Sequence, residues 1–348
     1  MTQITHAETL RPPLRLQDIA FRVSAVLLLA AVTTWLVASL AASPVQFFSA
    51  ALAGLSNGAL YALIALGYTL VYGIIELINF AHGDLFMLGT LFSAYLLTVW
   101  LGQAASSAVA WVLVVVALLA AMAFCASLNV VIELVAYRKL RRAPRLAPLI
   151  TAVGMSFILQ NIGLKWNGSF PRQWPSLLPS EALTVGGVKI DYKIIIVFVV
   201  TIPLLLLMSW VVTRTRQGRA MRATAQDQDA ARLMGIDVNR TISFTFALGG
   251  AMAGAAGVMY QQTVGSTKFD LGFQLGLIAF TAAVLGGIGN LTGAVVGGVL
   301  IGLIQGLNDG AAYGLGQKWS QSVVFGILIL LLVFRPQGLL GTPSGDRG

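Results

Sequence analysis

Between Val23 and Tyr137 the chain carries no lysine or arginine, and over all 348 residues only 10% are charged, against about 25% in an ordinary soluble domain. A water-soluble fold of this length covers its outside with polar groups, and 13 acidic with 22 basic residues do not suffice. That scarcity excludes a soluble globule and makes the bilayer part of the solvent. Cysteine is almost absent. The single Cys125 excludes a disulfide framework and a thiolate metal centre, and its apolar surroundings read as those of a small core residue. Only two histidines occur, His6 and His82, too few for a multi-histidine metal site. None of the six lysines follows a glycine, which excludes a P-loop and hence ATP hydrolysis by that route on this chain. No metal and no cofactor is expected here.

What is abundant is apolar. Hydrophobic residues make up 57% of the chain, and 37 glycines lie largely inside the apolar runs, where small residues let helix backbones approach closely. The net charge of +9 does not point to nucleic acid, because half of the basic residues fall in two short stretches, the pattern of cytoplasmic membrane loops. A hydrocarbon core of about 30 Å needs about 20 apolar residues in a helix. Spans are predicted at 22–43, 47–75, 84–101, 108–136, 146–165, 194–213, 241–263, 273–289, 291–308 and 319–334. The fold class is therefore all-α, a polytopic transmembrane bundle of about ten spanning or re-entrant helices.

Orientation follows from the basic loops. Arg138, Lys139, Arg141, Arg142 and Arg145 separate the fourth and fifth spans. Arg214, Arg216, Arg219, Arg222, Arg232 and Arg240 separate the sixth and seventh. The N-terminus carries Arg11, Arg15 and Arg22, and Arg335 follows the last span. Ten crossings place all four groups inside, with both termini cytoplasmic. The chain divides into a cytoplasmic tail (1–21), a permease domain (22–335) and a cytoplasmic tail (336–348). The segment 273–308 fits either two full spans or a re-entrant hairpin, since parity is the same. The first span reads as an uncleaved anchor, with a cleaved signal sequence as the other reading. Spans one to five and six to ten have opposite orientation, the form of an inverted 5+5 repeat.

One outer loop, 166–193, is long enough to have structure. It holds Trp166, Pro171, Trp174, Pro175 and Pro179 and reads either as a docking surface or as an interfacial cap. The inner connection 214–240 is more informative. It is far longer than most helix connections, and its Ala-rich run from Gln226 to Met234 is predicted helical, with Gly235 as C-cap. Asp227 and Asp229 near its start and Arg232 near its end complement the helix dipole. A short capped helix in that loop suggests a docking element; an ordinary positive-inside loop explains the arginines alone.

Polar residues inside spans mark a second candidate region. Asn57, Tyr61, Tyr68 and Tyr72 recur near helical spacing, and such a stripe turns toward a bundle interior or a wet path because lipid would not solvate it. Glu76, Asn79, His82 and Asp84 follow at the inner end of the second span; Asn79, His82 and Asp84 would shape an inner mouth, or serve as ordinary interfacial solvation. Glu133, next to the basic cluster, is expected to pair with Arg138 or a neighbouring span. Glycines at Gly250 and Gly254, and at Gly289, Gly293 and Gly297, have the four-residue spacing of helix packing, as do Gly298, Gly302 and Gly306.

Read as strings, these segments resemble one family. G-L-S-N-G-A-L-Y-A-L-I-A-L-G-Y-T-L-V-Y-G at 54–73, I-N-F-A-H-G-D at 78–84, G-R-A-M-R-A-T-A-Q-D-Q-D-A-A-R-L-M-G-I-D-V-N-R at 218–240, F-A-L-G-G-A-M-A-G-A-A-G at 246–257 and A-V-L-G-G-I-G-N-L-T-G-A-V-V-G-G at 283–298 occur in the order and spacing of the branched-chain amino-acid ABC importer permeases. The resemblance runs from about Ala51 to Gly341. Sugar permeases of ABC importers resemble it less well over 54–84. The resemblance implies a bacterial inner-membrane permease subunit that forms a translocation path for branched-chain amino acids. It implies two cytoplasmic ATP-binding subunits, which hold the ATP and Mg, a second homologous permease subunit and a periplasmic substrate-binding protein. It also implies that 214–240 fits a cleft of the ATP-binding subunit, with Gly218, Arg219, Arg222, Ala223, Asp229, Ala231 and Gly235 as contacts. Asn57, Tyr61, Tyr68, Asn79 and His82 are the path candidates. Relatives in this family carry urea, amides or aromatic acids, so the solute stays open.

Two other classes of function fit the sequence less well. A stand-alone secondary transporter calls for paired ionisable groups near the bilayer midplane, of which the sequence has few. An intramembrane serine protease would pair Ser156 with His82, at a poor position for it.

Overall fold

The computed structural model describes residues 16–100, 107–141, 143–144, 146–175 and 182–341. Arg11, Arg15, Arg142, Arg145 and Pro179, and most of both expected tails, lie outside the described residues. Twelve α-helices and four very short strands are present among them. The helices are α1 (Leu16–Ala42), α2 (Pro44–Ile75), α3 (Ala81–Tyr95, prolonged by a π turn Leu96–Trp100), α4 (Ser107–Ile132, prolonged by a π turn Glu133–Tyr137 and by Arg138–Leu140) and α5 (Leu146–Asn167). They continue with α6 (Tyr192–Arg214), α7 (Arg216–Gln226), α8 (Gln228–Leu233), α9 (Val238–Val264), α10 (Leu271–Gly286), α11 (Leu291–Gly310) and α12 (Ser320–Phe334).

Among the described residues, eight helices are long and apolar enough to cross a membrane, and two shorter apolar helices, Val26–Ala42 and Leu271–Gly286, stand where the first and eighth spans are predicted. Each of the ten predicted spans thus falls on a helix. The sixteen residues of α10 rise only about 24 Å at 1.5 Å per residue, less than the hydrocarbon core. Leu119, Ile150, Val199, Leu206 and Val333 on α4, α5, α6 and α12 stand exposed, an apolar outside that water would penalise and lipid would not. This is a multi-pass helical membrane protein.

The interior is built on α2 and α9, whose most apolar stretches are 83% and 72% buried. Glycine makes that possible. A Cβ added at Gly298, Gly302 or Gly306 of α11 would overlap the backbone of Ala62, Gly58 or Gly54 on α2. The two helices therefore meet backbone to backbone along three turns.

The strands tie connections together. β1 (Arg172–Gln173) pairs antiparallel with β4 (Ser266–Thr267), and β2 (Ala182–Val185) forms a hairpin with β3 (Val188–Asp191). In the 166–193 loop, Trp166 stacks on Tyr95 at 5.1 Å, and the Arg172 guanidinium lies 3.7 Å over the same tyrosine ring. Trp174 is buried, and its backbone N–H donates to the Gly265 carbonyl at 2.8 Å.

The structure shifts one local boundary. The helix expected from Gln226 to Met234 is present as α8 and begins at Gln228, because the chain breaks at Asp227 between α7 and α8. That residue has φ −157°, ends α7 and caps α8. The aspartate side chain satisfies the amides of a new helix start, which separates Gln226 at the end of α7 from the Ala-rich run of α8.

Candidate coupling and translocation site

The last turn of α6 runs into Thr215, whose Oγ1 donates to the Val211 carbonyl at 2.5 Å and accepts from the Gly218 amide at 3.0 Å. Gly218 is buried against α6, and a Cβ there would overlap the Val211 and Val212 carbonyls. Arg222, one turn on, donates from Nη1 to the Val212 carbonyl. Carbonyls that the end of α6 leaves without intrahelical partners are thus answered by α7, which folds back as a rigid extension of α6.

Beyond the break, the Asp227 carboxylate accepts from the amides of Asp229 and Ala230 at 2.8 and 3.0 Å. α8 ends at Gly235 with φ +80°, where the Ile236 amide donates to the Ala231 carbonyl at 3.0 Å, a glycine C-cap. Asp237 then caps α9 through the Arg240 amide at 3.1 Å. Asp229 pairs with Arg232 at 2.7 Å on the surface.

Of the coupling candidates, Arg219, Arg222, Asp229 and Gly235 are exposed, Ala223 is half-buried, and Gly218 and Ala231 face inward. Two residues were missed by sequence reasoning. Leu233 and Met234 are 89% and 82% exposed at the tip of α8, an apolar knob in an otherwise polar segment. The available signal was two consecutive large apolar residues directly before the capping glycine.

The polar stripe on α2 points inward. Asn57 is half-buried. Tyr61 is buried and donates to Gln305 Oε1 of α11 at 2.7 Å. Tyr68 is buried edge-on to His82, with ring centroids 4.8 Å apart, and to Phe280. Asn79 accepts from the Tyr137 hydroxyl at 2.8 Å. His82 is fully buried, and its imidazole fits against Gly67, where a Cβ would overlap Nε2. Asp84, also fully buried, accepts from Ser156 Oγ at 2.5 Å, and Gln160 Nε2 donates to that Ser156 Oγ at 3.1 Å. Ser156 therefore serves Asp84 and forms no dyad with His82. Glu76 ends α2 at φ 53° and is exposed, with no ion pair among the described residues.

Tyr72, the next residue of the stripe, reaches a cavity of about 760 Å³ bounded by α2, α6, α7, the α10–α11 turn and α12. Ser209, Arg222, Asn290, Thr292 and Gln337 supply polar lining. The cavity therefore has α7 as one wall.

Glu133 is fully buried and holds a network. Its carboxylate pairs with Arg138 at 3.2 Å and closely with Arg141, and accepts from Ser243 of α9 at 2.7 Å. Arg138 also donates to Ser243 at 2.9 Å and Arg141 to Asn239 at 2.8 Å. The basic cluster after α4 is thereby tied to the start of α9.

Among the packing candidates, Gly250 and Gly254 touch α4 at Cys125 and Ala121. Gly293 and Gly297 touch α10 at Gly286 and Ala282. Gly289 differs: φ is +92° and a Cβ would meet nothing within 4 Å, so it serves the α10–α11 turn.

Ten apolar helices among the described residues, around a glycine-packed interior and with a folded loop fused to α6, define a polytopic permease-like membrane protein. The chain belongs to the family described as the branched-chain amino acid transport system / permease component, whose model matches residues 50–333. It is 41% identical over 304 residues to the high-affinity branched-chain amino acid transport system permease protein BraD of Pseudomonas aeruginosa, covering 84% of this chain and 95% of that one. It is 38% identical over 298 residues to the corresponding permease protein LivH of Escherichia coli K12, with the same coverage. A more distant relative is the autoinducer 2 import system permease protein LsrC of Escherichia coli O9:H4, 29% identical over 189 residues, which are 54% of this chain and 50% of that one. No solved structure matches. The relatives are transport permease components, not enzymes.

Proposed function

We propose that this chain is a permease subunit of an ATP-driven importer in the bacterial inner membrane, carrying branched-chain amino acids or related small solutes. The end bearing α7 and α8 faces the cytosol, as the positive-inside distribution favours. Two ATP-binding subunits, which supply ATP and Mg, grip that end. A second homologous permease subunit and a periplasmic binding protein complete the assembly. The observation that carries this reading is the α7–α8 unit, welded to α6 through Gly218 and Arg222 and presenting Leu233 and Met234 outward. A rigid lever with an exposed apolar tip suits docking into a partner's groove, where an apolar anchor contributes most.

Tyr61, Tyr68, Asn79 and His82 are enclosed by helix contacts within the subunit, so the path runs beside Tyr72, whose cavity forms its inner end. The test is reconstitution of both permeases, the ATP-binding subunits and the binding protein in vesicles. ATP-dependent leucine uptake is expected. Uptake by the permeases without ATP-binding subunits would establish the stand-alone transporter instead, and uptake of urea, amides, aromatic acids or sugars in place of leucine would reassign the solute.

A further inference from the structure

The chain after α12 turns back onto the bundle. The last turn of α10 leaves carbonyls without intrahelical partners, and two of them are taken by the C-terminal segment: the Leu339 amide donates to Leu285 O at 2.8 Å and the Leu340 amide to Gly286 O at 3.0 Å. Asn290 closes the ring. Its Nδ2 donates to the Leu340 carbonyl at 2.7 Å, while its Oδ1 accepts from the Gly293 amide at 3.0 Å and so caps α11. The approach is backbone to backbone. A Cβ at Gly338, where φ is +78°, would lie 2.6 Å from the Gly287 backbone, and one at Gly287, where φ is +106°, would lie 2.5 Å from the Gly341 nitrogen.

The clamped turn holds three glycines in five residues, Gly286, Gly287 and Gly289, and is intrinsically soft because glycine restricts the backbone least. The same turn, with Gln337 and Gly341 beside it, lines the cavity that Met221, Arg222 and Ala225 of α7 also line. The lever and the soft turn thus share one cavity.

We propose that 336–341 is a brace that holds the α10–α11 turn stationary, so that movement of α7 changes the cavity instead of being absorbed by the turn. Asn290 is its positioning residue. This inference rests on the importer reading above.

The test uses the complete complex in proteoliposomes and reads solute moved per ATP hydrolysed. Asn290→Asp keeps an acceptor for the Gly293 amide and removes the donor to Leu340. The transport-to-hydrolysis ratio is expected to fall roughly two- to tenfold, the equilibrium weight of one hydrogen bond, with ATP hydrolysis itself retained. Leu339→Pro, confined to the brace, removes the amide that Leu285 accepts from and is expected to lower the ratio likewise. Leu339→Ala keeps that amide and is expected to keep the ratio. A merely structural role would lower uptake and hydrolysis together, and that outcome overturns the brace. So does an unchanged ratio in both Asn290→Asp and Leu339→Pro beside a wild-type complex that couples. A wild-type complex with no ATP-driven uptake overturns the importer reading itself.

Discussion

Gly302 of α11 rests on the backbone of Gly58 of α2, with no room between them for a methyl group. Gly302→Ala gains up to about 1 kcal/mol of helix propensity but must force two helices apart, and overpacking of this kind costs about 1–3 kcal/mol. A lowered melting temperature of the purified protein in detergent is expected. Gly326 on α12 has open space around it, so Gly326→Ala is expected to leave the melting temperature unchanged or raise it. Equal effects of the two substitutions would show that the α2–α11 contact is not close.

Burial separates two carboxylates of similar sequence appearance. Glu133 is fully buried with Arg138, Arg141 and Ser243 around it, whereas Asp229 is 87% exposed in its pair with Arg232. Glu133→Ala strands a largely buried Arg141 and is expected to cost about 3–5 kcal/mol. Asp229→Ala is expected to cost about 0–1 kcal/mol. Thermal unfolding of the two variants side by side checks the order.

Leu233 and Met234 make almost no contact within the chain, so replacing them tests a partner and not the fold. The double substitution Leu233→Asp, Met234→Asp is expected to leave the melting temperature unaltered and to weaken retention of the ATP-binding subunits on purification. An apolar hot spot contributes about 2 kcal/mol or more, a loss of roughly 30-fold in affinity. Undiminished co-purification would remove the knob from the interface.

The corner at Asp227 is held by its carboxylate. Asp227→Ala is expected to cost about 0.5–2 kcal/mol of local stability and Asp227→Asn much less, since asparagine also caps well. Limited proteolysis of 226–235 in the purified protein reads this directly: faster cleavage for the alanine variant, near wild-type cleavage for the asparagine variant.

Some features were legible in the chain because they follow from one helix at a time. The ten spans appear as apolar runs since the bilayer demands that length, and predicted limits such as 241–263 and 319–334 fall within a few residues of α9 and α12. The pairing expected of Glu133 with Arg138 is a neighbour effect, and it is present at 3.2 Å. The Ala-rich helix closed by Gly235 was legible and is present as α8, with its start moved to Gln228 by Asp227, a good cap residue.

Composition and hydropathy by themselves determined that this chain lives in a bilayer as a bundle of helices, because a bilayer admits only helices and closed barrels and continuous apolar runs of about 20 residues fit helices. Its motifs, in order, determined the family. Which glycines bring α11 onto α2, why Gly289 serves a turn, how Tyr61 meets Gln305, and that the chain end returns to Leu285 and Asn290 were decided only by the tertiary structure. Those relations join residues far apart in the chain through close packing, and the local pattern around each residue carries no record of which neighbour will fill the space beside it.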